Sequence, residues 1–277
     1  MSNEVRFKLH ARQSLAYLSE ATEMLYGGAA GGGKSHLMRI VAILLCMEVA
    51  GLQVYLFRRV SDDLRKNHLE GASGLRAMLA AMTGSGHCKF NDTKGIFEFW
   101  NGSKIYLCHC QHEKDMYKYQ GAEIHVLLMD ELTLFTEPIY KFLRGRVRLG
   151  GLKVPPKYKR KLPLILCGSN PGNIGHVWVK KTFVDFAPPM EIVRTAAADG
   201  GMLRQYIPAK LADNPTLTEN DPDYESRLEG LGNPALVAAM KNGDWDIIDG
   251  AYFSEFERSR HVLKPFTIPA HWPRIMA

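Results

Sequence analysis

Eight consecutive residues, Gly28-Ala29-Ala30-Gly31-Gly32-Gly33-Lys34-Ser35, constrain what this chain can fold into more than any other feature. They fit G-x-x-x-x-G-K-[ST] in full, a pattern that works only between a strand and a helix. Both flanks agree. Residues 22–26 read as a short apolar strand; residues 34–49 carry Leu37, Ile40, Val41, Leu44 and Leu45 at helical spacing, with Gly51 as the C-cap. Glycines let the backbone turn its N–H groups inward, and the helix N-terminus adds partial positive charge, so the loop suits a polyphosphate. Lys34 is expected to reach the β- and γ-phosphates of ATP, and Ser35 to ligate Mg2+. Gly28, Ala29, Ala30, Gly31, Gly32 and Gly33 supply the backbone cradle.

Residues 126–131, Val-Leu-Leu-Met-Asp-Glu, read as an apolar strand ending in two carboxylates. Asp130 is expected to hold Mg2+ through its water shell, and Glu131 to polarise the attacking water as general base. Many strands end in solvated acids. Behind the glycine loop, with another strand between them, the pair marks P-loop ATPases with an added central strand and a catalytic glutamate. Residues 164–167 form a further apolar strand leading into Gly168-Ser169-Asn170-Pro171. Asn170, or Ser169 after it, is placed to sense the γ-phosphate or the attacking water; the same four residues also make a good plain turn. Gln13 can offer a donor and an acceptor to an adenine edge, or can sit on the surface of an N-terminal helix.

The fold class this implies is α/β: a P-loop ATPase core of the added-strand, catalytic-glutamate type, its mostly parallel sheet flanked by helices, with a small C-terminal helical subdomain. The core is expected over residues 1–186, a helical lid closing on it over 187–260, and the start of a linker over 261–277. A polar helix is expected over residues 62–82, and Asn101-Gly102 joins residues 96–100 to 105–110 as a hairpin. Past residue 186 the strand–helix rhythm fades into short helices punctuated by Asp-Asn-Pro and Gly-Asn-Pro.

Charge decides little: a net +6 and a pI near 9.0 admit a polyanionic partner without demanding one. Five cysteines, an odd number, argue for a reducing compartment rather than a disulfide framework. The longest apolar run, residues 40–47, is too short to cross a bilayer. Lys157, Lys159, Arg160 and Lys161 around Tyr158 suit either a phosphate backbone or a solvated loop. His87-Cys88 and Cys108-His109-Cys110 with His112 offer metal-ligand types, but the spacing fits buried strand cysteines better than zinc.

Taken together, residues 25–35, Phe57-Arg58-Arg59, residues 128–131 and residues 167–171 resemble the ATPase domain of a tailed-phage large terminase subunit. So do Asp213-Asn214-Pro215, Gly243-Asp244-Trp245-Asp246 and Gly250-Ala251-Tyr252-Phe253. The resemblance implies a motor that drives double-stranded DNA through a portal protein into a procapsid in the host cytoplasm. It also implies a small terminase subunit as partner, a ring homo-oligomer when assembled, and no membrane. In such rings a neighbour's arginine assists hydrolysis. Some relatives carry it in an Arg-Gly step before the Asp-Glu strand, where this chain reads Gln120-Gly121. Arg146 is the candidate here, with Arg144 and Arg148 as alternatives; Arg58 and Arg59 also qualify. A complete large terminase carries a nuclease domain as well, and none is expected within this chain. A helicase-like ATPase and a nucleotide-gated capsid or portal assembly factor are the alternatives. A two-lobe helicase needs a second lobe that residues after 186 do not supply.

Overall fold

The computed structural model describes residues 7–230, 234–246 and 272. Among the described residues nine strands form one sheet: β1 (Glu23–Gly28), β2 (Gln53–Arg58), β3 (Cys88–Asn91), β4 (Ile96–Phe99), β5 (Lys104–His109), β6 (Val126–Asp130), β7 (Leu164–Ser169), β8 (Val193–Arg194) and β9 (Leu203–Ala209). Their order is β3-β4-β5-β2-β6-β7-β1-β9-β8. From β5 to β9 every pairing is parallel, while β3-β4-β5 and β8-β9 pair antiparallel. The central strands β1, β6 and β7 are buried at every residue. That is why their sequences read as continuous apolar runs rather than alternations.

A short N-terminal helix, α1 (Ala11–Leu18), precedes β1, and helices cover both faces of the sheet. On one lies the fifteen-residue helix α2 (Lys34–Glu48), which packs Leu37, Met38, Val41 and Leu45 against Val54, Val126 and Leu164. On the other, the Glu137–Arg144 helix brings Ile139, Tyr140 and Leu143 to Phe57, Leu127 and Ile165, with Val179 and Phe183 alongside. Cys108 and Cys110 belong to this second apolar layer and Cys46 and Cys88 to the first. No helix among the described residues is long and apolar enough to cross a membrane.

β7 lies between β1 and β6, the interposed strand that the motif order anticipated. Three expectations need correction. The helix expected over residues 62–82 is broken into Ser61–Leu64, a π-helical turn over Arg65–Leu69, and the short helices Leu75–Met78 and Ala80–Gly84. Its interruption falls at Gly71-Ala72-Ser73-Gly74, where a Cβ on Gly74 would lie 2.1 Å from the Glu70 carbonyl oxygen. A strand precedes the hairpin, β3, whose polar composition disguised it. Finally, the sheet does not end at residue 186. Leu203–Ala209 pairs in parallel with β1 along its length, so the core runs past the expected boundary into 187–260. An arginine, a glutamine and a proline in seven residues hid that strand; Arg204 is buried there because Glu23 meets it across the sheet and Asp199 pairs with it from the preceding turn.

Beyond Ala209 the chain is helical over Leu211–Asp213, Pro215–Asn220, Tyr224–Glu229 and Pro234–Asn242. The linker expected over 261–277 lies outside the described residues apart from Trp272, as does the Gly250–Phe253 phrase.

Candidate nucleotide site

The C-terminal ends of β1, β6, β7 and β2 converge on one place. β1 delivers the glycine loop, and α2 begins at Lys34 directly behind it. Gly33 adopts φ +75°, and a Cβ there would lie 2.5 Å from Gln13 Nε2, so both conformation and space demand glycine. Gln13 is buried; its amide donates to Gly33 O at 3.0 Å and its carbonyl accepts from His10 N–H at 2.9 Å. It therefore braces the loop from below. The Tyr26 hydroxyl does the same at Gly32 O, 3.0 Å away.

Lys34 is buried, and burial lowers its pKa against the pull of Glu131 and Asp130. Its ammonium donates to Ala29 O at 2.8 Å and to Asn170 Oδ1, so the loop lysine and the end of β7 already meet. Asn170 is set by its neighbours. The Thr133 N–H donates to Ser169 Oγ at 3.0 Å, and the Thr133 hydroxyl to Asn170 O at 3.1 Å. This ties β7 to the turn after β6.

Asp130, at the end of β6, is fully buried. Its Oδ2 accepts three hydrogen bonds: from Ser35 Oγ at 3.0 Å, Arg58 Nε at 2.9 Å and His68 Nε2 at 2.8 Å. Its Oδ1 is buried with no partner among the described residues. Burial opposes ionisation of this carboxyl, but His68 and Arg58 outweigh it and hold the pKa well below the usual range. An ionised carboxylate oxygen can only accept, so His68 Nε2 carries the hydrogen of this bond, while burial lowers the pKa of His68. An anionic oxygen without a partner, on the carboxylate that also holds the Ser35 hydroxyl, fits a hydrated divalent cation.

Glu131 sits at φ 56°, ψ 56°, a left-handed conformation uncommon for a residue with a side chain. Its carboxylate comes within 3.7 Å of Arg58 Nη2. Burial first and Asp130 second raise its pKa, opposed by Lys34 and Arg58. A carboxylate tuned upward in this way suits general-base work.

The helical segment after β9 closes over the loop. Asn214 Nδ2 donates to Gly31 O at 2.7 Å, and the Ala30 N–H to Met240 O at 2.7 Å. Gly243 packs so closely that a Cβ would lie 2.7 Å from Ala29 N. Trp245 Nε1 donates to the Tyr206 hydroxyl at 3.1 Å, and the Trp245 carbonyl accepts from His176 at 3.1 Å. His176 in turn accepts the Gly172 N–H at 2.8 Å, beside Asn170. Asp244 accepts the Asp246 N–H and Asp246 pairs with Lys180, a turn and a surface bridge.

The arginines 144, 146 and 148 lie elsewhere. Arg144 is bound to Glu23 and Asp199 at 3.1 and 3.2 Å. Glu23 starts β1, about 17 Å from the loop at the usual strand rise. The Arg146 guanidinium stacks 4.8 Å from the centre of the Phe142 ring, and Arg148 donates to Gly121 O at 3.3 Å. Arg59 donates to Leu134 O at 2.8 Å, bracing the turn after Glu131. In the basic segment, Lys157 pairs with Glu48, Arg160 pairs with Glu20 at 2.7 Å, and Lys161 sits over Tyr17 at 4.3 Å. Much of that loop's charge is thus spoken for within the chain.

His68, Thr133, Tyr206 and His176 carry no motif, and the sequence gives no signal for them; Trp245, which joins Tyr206 to His176, lies in the Gly243–Asp246 phrase. Arg58 had one: it ends a strand that the topology sets beside β6.

No protein-family model matches this sequence, and no curated protein matches it. Solved structures do match in fold. The large terminase of a thermophilic bacteriophage, in complex with ATP-gamma-S, superposes with a TM-score of 0.62 at 14% identity, over 95% of this chain and 59% of that one. The ADP complex of the same terminase gives 0.62 at 15% identity, over 95% and 60%. The ATPase domain of the Thermus phage P74-26 large terminase gives 0.57 at 12% identity, over 87% of this chain and 95% of that one. The chain therefore has the fold of large-terminase ATPase domains, and spans under two thirds of the length of the first of these terminases.

Proposed function

We propose that this chain is the ATP-hydrolysing motor domain of a viral large terminase, driving double-stranded DNA into a procapsid. The carrying observation is the convergence of the glycine loop, the Asp130–Glu131 pair and Asn170 at the ends of β1, β6 and the interposed β7. Bound Mg-ATP supplies an electrophilic γ-phosphoryl group and the ion that neutralises its developing charge. Lys34 presents its ammonium at the loop mouth. Ser35 would ligate the ion and Asp130 Oδ1 would hold it through its water shell, and Glu131 would accept the proton of the attacking water at its carboxylate. Asn170, joined to Lys34, is the residue beside β1 that can register the γ-phosphate. Gln13, the candidate adenine contact, acts on the nucleotide through Gly33, whose carbonyl it holds.

The trans-acting arginine of this reading is Arg146, with Arg148 next, because Arg144 is committed to Glu23. The portal protein, the small terminase subunit, ring assembly and the host cytoplasm belong to the same proposal, and nuclease activity does not belong to this segment. Stimulation of phosphate release by double-stranded DNA, without strand separation, is the expected behaviour. Turnover indifferent to DNA would favour an assembly factor, and unwinding would favour a helicase. In the assembled motor, Arg146→Ala should lower DNA-stimulated turnover about 10³-fold; unchanged turnover would discard that arginine.

A further inference from the structure

One buried group in the site takes no part in binding or hydrolysis as proposed. His68 is fully buried, 62 residues ahead of Asp130 in sequence, and its Nε2 lies 2.8 Å from Asp130 Oδ2. We infer that His68 is a positioning residue: it holds the Asp130 carboxylate by one oxygen so that the other stays directed at the ion. The inference rests on the nucleotide reading.

The three donors on Oδ2 are not equivalent. The Ser35 oxygen is itself an expected ligand, and Arg58 divides between Asp130 at 2.9 Å and Glu131 at 3.7 Å. His68 is the donor whose hydrogen bond goes to Asp130 alone. Its own support is built in. The π-helical turn Arg65–Leu69 sits between Leu64 and Leu69, both buried in the α2 face of the core. Arg39 of α2 donates Nη1 to Asn67 O at 2.8 Å, gripping the turn from the helix that begins at Lys34-Ser35. Single π turns inside helices recur at functional sites because the extra residue re-aims a side chain.

A packing role alone explains this poorly. His68 Nδ1 is buried without a partner among the described residues, a cost that an apolar side chain would not incur. The gain is orientation. With Oδ2 saturated, rotation of the carboxylate would break three hydrogen bonds, so Oδ1 remains the oxygen for the ion's water shell. Groups that orient metal-holding carboxylates typically change metal affinity about 10–100-fold when removed.

The test uses the whole chain and three variants. His68→Gln keeps an N–H at similar reach, His68→Asn is polar but too short, and His68→Leu fills the space without a donor. Mg2+ is titrated into protein with a fluorescent ATP analogue, binding of the same analogue is measured in EDTA, and thermal melts are recorded. His68→Leu and His68→Asn should raise the half-saturating Mg2+ concentration about tenfold or more. His68→Gln should stay near wild type, and EDTA affinities should stay level across all four proteins. Equal Mg2+ dependence in every variant would overturn the inference, as would a Gln variant shifted as far as Leu. Failure of all three to fold would assign His68 to the core and also overturn it. A wild-type protein that binds no nucleotide at any Mg2+ concentration would instead sink the underlying nucleotide reading.

Discussion

Two carboxylates in this molecule are equally buried and oppositely treated. Glu23, at the start of β1, and Asp130, at the end of β6, both show no solvent exposure. Glu23 spends both oxygens: Oε1 accepts from the Tyr140 hydroxyl and from Arg144, and Oε2 from Arg204 Nε at 2.8 Å. Asp199 completes the cluster against Arg204 at 2.8 Å and Arg144 at 3.2 Å, so two acids face two arginines. Asp130 instead crowds three donors onto Oδ2 and leaves Oδ1 without a partner among the described residues. Buried polar atoms are ordinarily satisfied within the chain. Glu23 follows that rule and its cluster locks β1, β9 and the Glu137–Arg144 helix together; Asp130 breaks it at the end of the sheet that meets the glycine loop. In this sense the Glu23 end is closed, both carboxylate oxygens being taken by the chain itself, whereas at the Asp130 end one carboxylate oxygen is left open.

That contrast predicts separable effects. At the open end, Lys34→Ala should reduce phosphate release about 10³-fold or more, and Glu131→Gln should do the same while still retaining ATP on a filter. Neither should alter the melting temperature by more than a few degrees. Rapid hydrolysis by Glu131→Gln would remove that residue from the role of base. At the closed end the pattern should invert. Glu23→Ala leaves the buried Arg204 and the half-buried Arg144 short of their counter-charge and should cost about 3–5 kcal/mol in urea denaturation, with turnover per folded molecule within about twofold of wild type. A Glu23 variant that keeps its stability but loses turnover would erase the distinction.

The smallest effect belongs to Asp199, whose side chain is 44% exposed. Burial raises its pKa, but Arg204 and Arg144 together outweigh that and hold it below the ordinary value. A depressed carboxylate contributes stability above its unfolded pKa and loses that contribution as pH falls through its folded value. Asp199→Asn should therefore be less stable at neutral pH by about 0.5 kcal/mol, given its exposure. The gap should close below about pH 4. A gap that persists unchanged in acid would show that the pair does not titrate as described.

The open end was far more legible in sequence than the closed end, for a physical reason. Phosphate binding needs a fixed backbone path, so Gly28–Ser35 are contiguous, and strand β6 delivers Asp130 and Glu131 as neighbours. Local chemistry writes local motifs. The Glu23 cluster joins residues more than a hundred positions apart, and β9 reads as polar because the partner that meets its arginine inside the sheet, Glu23, is distant in sequence. His68 was hidden likewise: nothing near it in sequence points to Asp130, and the π turn that aims it interrupts what reads as a plain polar helix. The boundary at residue 186 failed on the same ground, since a strand without apolar rhythm is recognised only by its partner.

The most direct test is anomalous diffraction from crystals of the protein with Mn2+ and ATP-gamma-S. The account predicts nucleotide along Gly28–Ser35 with a manganese peak between Ser35 and the Oδ1 side of Asp130. Nucleotide bound away from that loop, or in the loop with the ion on the Oδ2 side or absent, would contradict it.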